Sequence, residues 1–210
     1  MGVFITVEGG EGCGKSTVLN RVIDRLNKEG VDAIVTREPG GIDIAEQIRN
    51  VILDVNNTKM DKVTEALLYV AARRQHVVEK LKPLLNEGKV IVSDRFVDSN
   101  LVYQGYTRGV GIDTVWEMNK YAIEDCMPSL TILFDLDPKI GQERISANKN
   151  REFNRLDKEK MDFHYKIREG YLEVARKYSD RIKVVDASRT IEEVEEEVYN
   201  LIKEEIKRRG

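Results

Sequence analysis

The amino-acid sequence predicts an α/β fold, a five-stranded parallel sheet wrapped by helices. Three observations predict it. Strand and helix signals alternate along the whole chain, the order that builds a parallel sheet with both faces covered. The strand candidates are short apolar runs rich in β-branched residues, as strands buried on both faces are. The first of them runs straight into Gly9-Gly10-Glu11-Gly12-Cys13-Gly14-Lys15-Ser16-Thr17, a glycine-rich turn that opens a helix.

Val3 to Val7 is the first strand. Gly9-x-x-x-x-Gly14-Lys15-Ser16 then fits the phosphate-binding loop pattern in full. In such a loop successive backbone N–H groups converge on one concavity, and the helix that starts near Lys15 adds its positive dipole end. Lys15 has the reach for the β- and γ-phosphates of a nucleoside triphosphate, most simply ATP, and the Ser16 hydroxyl suits a Mg²⁺ position. The helix from Lys15 to Glu29 stops at Gly30. Ala33 to Thr36 is the second strand and leads into Arg37-Glu38-Pro39-Gly40-Gly41. Ile42 to Leu53 has helical spacing, and Asp61 to Asn86 reads as one long helix with Pro83 placed to kink it. Lys89 to Asp94 is the third strand. Asp98 to Tyr106 and Ile112 to Ala122 read as helices around a glycine-containing turn. Leu130 to Asp135 is the fourth strand, and Pro138 opens a helix toward Ser146. Asn148 to Lys160 is almost entirely polar. Helices Met161 to Tyr178 and Ile191 to Arg208 flank the fifth strand, Ile182 to Val185. No repeat, linker or composition break divides the chain, so one domain over 1–210 is expected, with a lid at about 141–160.

Bulk properties narrow the function classes. A chain of 210 residues with 41% hydrophobic and 34% charged residues can bury a full α/β core without staples. The net charge of −3 argues against a dedicated nucleic-acid binder but leaves room for a small anion held by local arginines. The chain enters a strand almost at once, so no signal peptide is expected. No apolar run approaches the roughly 18 residues of a membrane span. Two cysteines, Cys13 in the loop and Cys126, fit reduced thiols and a cytoplasmic protein. Cys13 near a helix N-terminus is expected to have a lowered pKa and to be protected from thiol reagents by ATP.

Ligands of parallel sheets sit at the carboxyl ends of the strands, so the segments after strands one, two and three face one cleft. Asp94 ends strand three where a carboxylate holds Mg²⁺ directly or through water, and Arg95 beside it can carry the charge of a transferred phosphoryl group. The bland alternative is a strand-end salt bridge. Gly40-Gly41 allows close backbone approach, and Arg49 on the next helix can pair an anionic phosphate. Tyr69, Arg73 and His76 share one face of the long helix. An aromatic ring followed one turn later by a guanidinium suits a flat heterocycle, although a core Tyr beside a surface Arg has the same spacing. His76 reads as a solvated or helix-bonded residue. No His/Cys/Asp cluster has metal-ligand spacing. Arg144, Lys149, Arg151 and Arg155 line the late polar stretch, which is either a solvated loop or a lid that excludes water from the phosphates.

Taken together, Glu8-Gly9-Gly10-Glu11-Gly12-Cys13-Gly14-Lys15-Ser16-Thr17, Thr36-Arg37-Glu38-Pro39-Gly40-Gly41, Asp94-Arg95-Phe96 and Tyr103-Gln104-Gly105 carry a resemblance. Thr64 to Tyr69 with Arg73-Arg74, and the late Asn154-Arg155-Leu156-Asp157, extend it to essentially the whole chain. The chain resembles the thymidylate kinases, of the nucleoside monophosphate kinase group. The loop alone is common to many families; the Arg-Glu-Pro-Gly-Gly and Asp-Arg-Phe segments in this order are far more specific.

The resemblance implies transfer of the ATP γ-phosphoryl to dTMP, giving dTDP for dTTP biosynthesis, with Mg²⁺ and in a homodimer. It implies that Gly9 to Thr17 hold the donor and that Ser16 and Asp94 hold the metal. Tyr69 stands where an aromatic stacks on thymine, Arg73 where a guanidinium meets a thymine carbonyl, and Asn100 where a small polar residue faces the base. Tyr103 stands where an aromatic crowds the sugar C2′, and Glu11 near the 3′-hydroxyl. Arg49 and Arg95 stand at the acceptor phosphate, while Glu38 and Gln104 lie in motif segments expected at the substrate. There are departures: Tyr rather than Phe at 69, Cys rather than Ala or Ser at 13, and Gly12 where some members place an arginine. The transition-state cations are therefore expected from Lys15, Arg95 and the lid arginines Arg151 and Arg155, with Arg144 next. Two rival classes stay open, another small-molecule kinase and a nucleotide-dependent switch or ATPase.

Overall fold

The computed structural model describes residues 2–147, 155 and 159–209. Five strands form one all-parallel sheet in the order β2-β3-β1-β4-β5. They are β1 (Val3–Gly9), β2 (Ala33–Arg37), β3 (Val90–Asp94), β4 (Leu130–Asp135) and β5 (Ile182–Asp186). The helices are α1 (Lys15–Lys28), α2 (Asp43–Leu53), α3 (Lys62–His76), α4 (Lys82–Asn86), α5 (Val97–Asn100), α6 (Ile112–Ile123), α7 (Pro138–Ala147), α8 (Met161–Lys177) and α9 (Ile191–Arg209).

The sheet divides the core in two, and strand alternation decides which side chain goes where. On β1, Val3, Ile5 and Val7 point to a cluster with α1 and α9 (Val18, Leu19, Val22, Val198, Ile202). Phe4 points the other way, to a cluster with Ile91, Phe96, Leu101, Val115 and Ile167. Every residue of β1 is buried, including the polar Thr6 and Glu8, which are hydrogen-bonded inside the protein.

Register places the site. Val7 of β1 pairs with Asp94 of β3, and Asp94 pairs with Arg37 of β2. The loops that leave these three strands therefore start side by side at one sheet edge. Gly14 enters α1 with φ +88°, a left-handed conformation in which a side chain would be strained.

The long helix differs from the expected one. Asp61 caps it, its carboxylate accepting from the Val63 and Thr64 N–H groups at 3.0 Å each. Its irregularity is a π-helical segment, Val77–Leu81, between α3 and α4, ahead of Pro83 rather than at it. A second π-helical segment, Leu101–Thr107, continues α5.

Candidate active site

Two cavities open at the carboxyl edge of the sheet. One, of about 430 Å³, is lined by the phosphate loop from Glu11 to Thr17 with Asp94, Arg95, Arg144 and Ile145. The other, of about 480 Å³, runs between the β2–α2 loop, α3 and the segment after β3. Glu11, Ser16, Asp94 and Arg95 line both, so the cavities adjoin there.

In the loop cavity, the buried Lys15 ammonium donates to the Gly9 and Gly10 carbonyls at 3.1 Å each and to Cys13 Sγ at 3.4 Å. Three acceptors meet its three protons inside the loop. Cys13 is itself buried, and its thiol donates to the Gly10 carbonyl at 3.1 Å. The side chain packs within the loop that lines this cavity. Ser16 Oγ donates to Asp94 Oδ2 at 3.0 Å. Asp94 Oδ1 is buried and has no hydrogen bond among the described residues. A hydroxyl beside a carboxylate with an unused oxygen is a donor set suited to a hard divalent cation such as Mg²⁺. Among the described residues no group of three or more His, Cys, Asp or Glu is arranged to hold a metal without such help.

Arg95 stands at the junction. Its φ of +71° is a left-handed backbone on a non-glycine residue, a strained state that its surroundings must hold. Its guanidinium donates to Glu11 Oε1 at 2.7 Å, the Gly9 carbonyl at 3.0 Å, the Tyr171 hydroxyl at 2.9 Å and Ser99 Oγ at 3.1 Å. The Gly9 carbonyl thus receives both Lys15 and Arg95, and two cations converge on one point.

In the second cavity the expected substrate residues Glu11, Glu38, Arg49, Tyr69, Arg73, Asn100, Tyr103 and Gln104 all line the wall. Arg73 is only 2% exposed, which removes the surface-arginine alternative. Its Nε donates to Glu38 Oε2 at 2.7 Å, and its terminal nitrogens donate to Asn119 Oδ1 (2.5 Å), Asn100 Oδ1 (3.2 Å) and the Phe96 carbonyl (2.9 Å). Glu38, next to the cis Glu38–Pro39 peptide, holds its other oxygen 2.9 Å from His76 Nδ1. His76 is fully buried and reaches Thr36 Oγ1 at 2.8 Å through Nε2, so the reading of a solvated histidine is corrected. Asn100 Nδ2 donates to Gln104 Oε1 at 2.9 Å, and Gln104 Nε2 to Glu65 Oε1 at 2.7 Å. Tyr69 is partly buried on the cavity wall, and desolvation pushes its phenol up to about 12, so it presents a neutral ring. The Tyr103 hydroxyl donates to Glu11 Oε1 at 3.2 Å.

Of the lid arginines, Arg151 lies outside the described residues. Arg155 donates to Glu65 Oε2 at 2.6 Å and to the Ile52 carbonyl at 3.0 Å, and it lines neither cavity. Arg144 does line the loop cavity, with its guanidinium on the Ala187 carbonyl at 3.3 and 3.4 Å. A Cβ on Gly12 would collide with the Gly141 carbonyl of α7, and one on Gly141 with the Glu11 carbonyl. Helix α7 thus packs backbone to backbone on the loop, which is why position 12 has no room for an arginine.

Sequence reasoning missed Arg37, Ser99, Asn119, Tyr171 and Glu8. Arg37 lines the second cavity and pairs with Glu46 at 2.8 Å. Asn119 left a signal: it interrupts the buried stripe Val115, Ala122, Ile123 of α6. Glu8 left one too, as a carboxylate near the end of a strand whose every residue is buried.

Comparison with known proteins agrees with this geometry. The family model described as thymidylate kinase matches residues 7–198. A thymidylate kinase of Oceanobacillus iheyensis is 55% identical over 201 residues, covering 96% of this chain and 89% of the relative. One from Geobacillus sp. (strain WCH70) is 55% identical over 92% of each chain, and one from Bacillus licheniformis 54% identical over 98% of this chain and 97% of its own. A loop built for a triphosphate, a second cavity lined by an aromatic ring and a buried guanidinium, and a match along nearly the full length converge, and the chain belongs to the thymidylate kinase family.

Proposed function

We propose that this protein moves the γ-phosphoryl group of ATP to the 5′-phosphate of dTMP, giving dTDP and ADP in dTTP biosynthesis, by direct in-line transfer. The observation that carries the reading is the shared wall: Glu11, Ser16, Asp94 and Arg95 border both cavities. Two phosphate chains laid in them would meet end to end at Arg95.

The loop amides from Gly9 to Thr17 and Lys15 bind the triphosphate. Ser16 and Asp94 would hold a Mg²⁺ ion, which neutralises charge on the β- and γ-phosphate oxygens when bound. Arg49 and Arg95 grip the acceptor phosphate, and Arg37 adds to them. Tyr69 stacks on the pyrimidine. Arg73 and Asn100, fixed by Glu38 and Gln104, face its polar edge. Tyr103 crowds C2′, and Glu11 faces the 3′-hydroxyl. Charge at the transferring phosphoryl is spread over Lys15, Arg95 and the lid arginines Arg151 and Arg155. Arg155 would first have to leave Glu65. The lid at about 141–160 is read as the cover that keeps water, a competing acceptor, from ATP. Chain 1–210 acts as one kinase domain. Among the described residues no helix is long and apolar enough to cross a membrane, and the two buried free cysteines support a cytoplasmic location. Ile44 and Val51 on α2 and Val63 and Leu67 on α3 are exposed on neighbouring helices, and this face is our assignment for the homodimer contact.

An acceptor panel with ATP and Mg²⁺ tests the reading. ADP formation should depend on dTMP, proceed more slowly with dUMP, and fail with thymidine and purine monophosphates. One methyl group in a pocket is worth about 1–3 kcal/mol, so dUMP should remain a substrate. Lys15→Ala should lose most turnover with an unchanged melting temperature. Acceptor-independent ADP release would favour the switch or ATPase class and end the proposal.

A further inference from the structure

Glu8 is the penultimate residue of β1, immediately ahead of the phosphate loop, and is 0% exposed. Its carboxylate is fully subscribed. Oε1 accepts from the Phe96 N–H at 2.7 Å and the Ser99 N–H at 3.3 Å; Oε2 accepts from Ser99 Oγ at 2.5 Å and the Tyr171 hydroxyl at 3.0 Å. The same two hydroxyl oxygens accept from Arg95, at 3.1 and 2.9 Å. The two hydroxyl oxygens lie 2.8 Å from each other, and with both hydroxyl hydrogens on Oε2 the bonds run one way: guanidinium N–H to hydroxyl oxygen, hydroxyl hydrogen to carboxylate. The backbone amide after Arg95 is tied to the same carboxylate, across a residue whose φ is +71°.

We propose that Glu8 is a positioning residue for phosphoryl transfer, holding the Arg95 guanidinium at the junction of the two cavities through the hydroxyls of Ser99 and Tyr171. The inference rests on reading Arg95 as a phosphate-facing residue of the kinase. Only an acceptor-only group at position 8 keeps the direction of the chain. An amide nitrogen in place of Oε2 would donate into oxygens that already receive Arg95 and take the acceptor from both hydroxyl hydrogens, and one in place of Oε1 would face the Phe96 and Ser99 N–H groups. A carboxylate with no cation in direct contact is costly at this depth, and desolvation followed by the charge of Asp98 raises its pKa to about 7. The other charged and titratable groups around it are Arg95, Asp98 (held by Arg181 at 2.7 Å) and the Tyr171 phenol, which burial holds well above its ordinary range.

The test uses the full chain with ATP, Mg²⁺ and dTMP, comparing wild type, Glu8→Gln, Tyr171→Phe and Ser99→Ala/Tyr171→Phe, and following kcat and melting temperature against pH. Misplacing Arg95 should lower kcat of Glu8→Gln about ten- to a hundredfold at alkaline pH, with KM for ATP within about twofold. The acid limb of the wild-type kcat profile should be lost in Glu8→Gln. The melting temperature of Glu8→Gln relative to wild type should improve as pH rises through about 7, since the variant escapes the buried charge. A merely structural role would lower the melting temperature and leave kcat and its pH profile in place, which would overturn the inference. Should Glu8→Gln fail to fold, the Ser99→Ala/Tyr171→Phe variant decides: a fall in kcat with Glu8 intact supports the relay, and unchanged kcat overturns it. A wild-type chain without dTMP-dependent turnover would instead refute the proposed function itself.

Discussion

At Arg73 four of the five guanidinium N–H donors are committed before any substrate arrives. Its fork meets Glu38, Asn100, Asn119 and the Phe96 carbonyl at almost zero exposure. Removing one partner of a buried pair typically costs 3–5 kcal/mol, because the other charge is stranded. Arg73→Met should therefore lower the unfolding free energy by about that much, read from a urea midpoint, besides weakening dTMP binding. A loss confined to binding would show that Glu38 is satisfied by His76 alone. Arg73→Lys should not rescue, since one ammonium cannot span acceptors on α5, α6 and the β2 loop. At Tyr69, stacking on a base should contribute about 1–3 kcal/mol, so Tyr69→Ala should raise KM for dTMP and dUMP by similar factors. Selective loss of the methyl preference would place the ring elsewhere.

Elements set what these residues can reach. Phosphate loop and α7 touch backbone to backbone at Gly12 and Gly141, a contact closed to any Cβ. Gly141→Ala should lift α7 from the loop and raise KM for ATP more than KM for dTMP; equal effects on both would mean that the displacement reaches β3. Strands, loop and most helix ends were legible in the sequence, because β-branched runs, glycine stops and the Lys-Ser spacing act locally. The residues leaving β1, β2 and β3 were legible as one site because parallel register forces them together. The two π-helical segments were not, since a single extra residue per turn leaves no compositional mark. Nor were the partners of His76, Arg155 and Glu8: those contacts join positions 38 to 163 residues apart, and periodicity carries no information over such spans. A buried His76 and a solvated one have the same local sequence.

For the molecule as a whole, pH and association are the accessible readouts. The folded chain keeps a proton on Glu8 between its ordinary 4.5 and about 7 that the unfolded chain has released. Folded binding exceeds unfolded binding there, so this residue's contribution falls as pH rises through that window, by on the order of 3 kcal/mol in all. Unfolding free energy should thus decline from mildly acid to mildly alkaline pH in wild type and stay flatter in Glu8→Gln. If the α2–α3 face joins two copies, Leu67→Glu should convert a dimer to a monomer in sedimentation, and a wild type that sediments as a monomer would retire the assignment. The tight seat of α7 on the loop has a further consequence, for descent rather than for turnover. Positions 12 and 141 are a matched pair: a lineage that gained a side chain at the first could keep it only by relocating the second. Substitutions at the two should accordingly travel together among related genes, and a variant altered at one alone should be selected against.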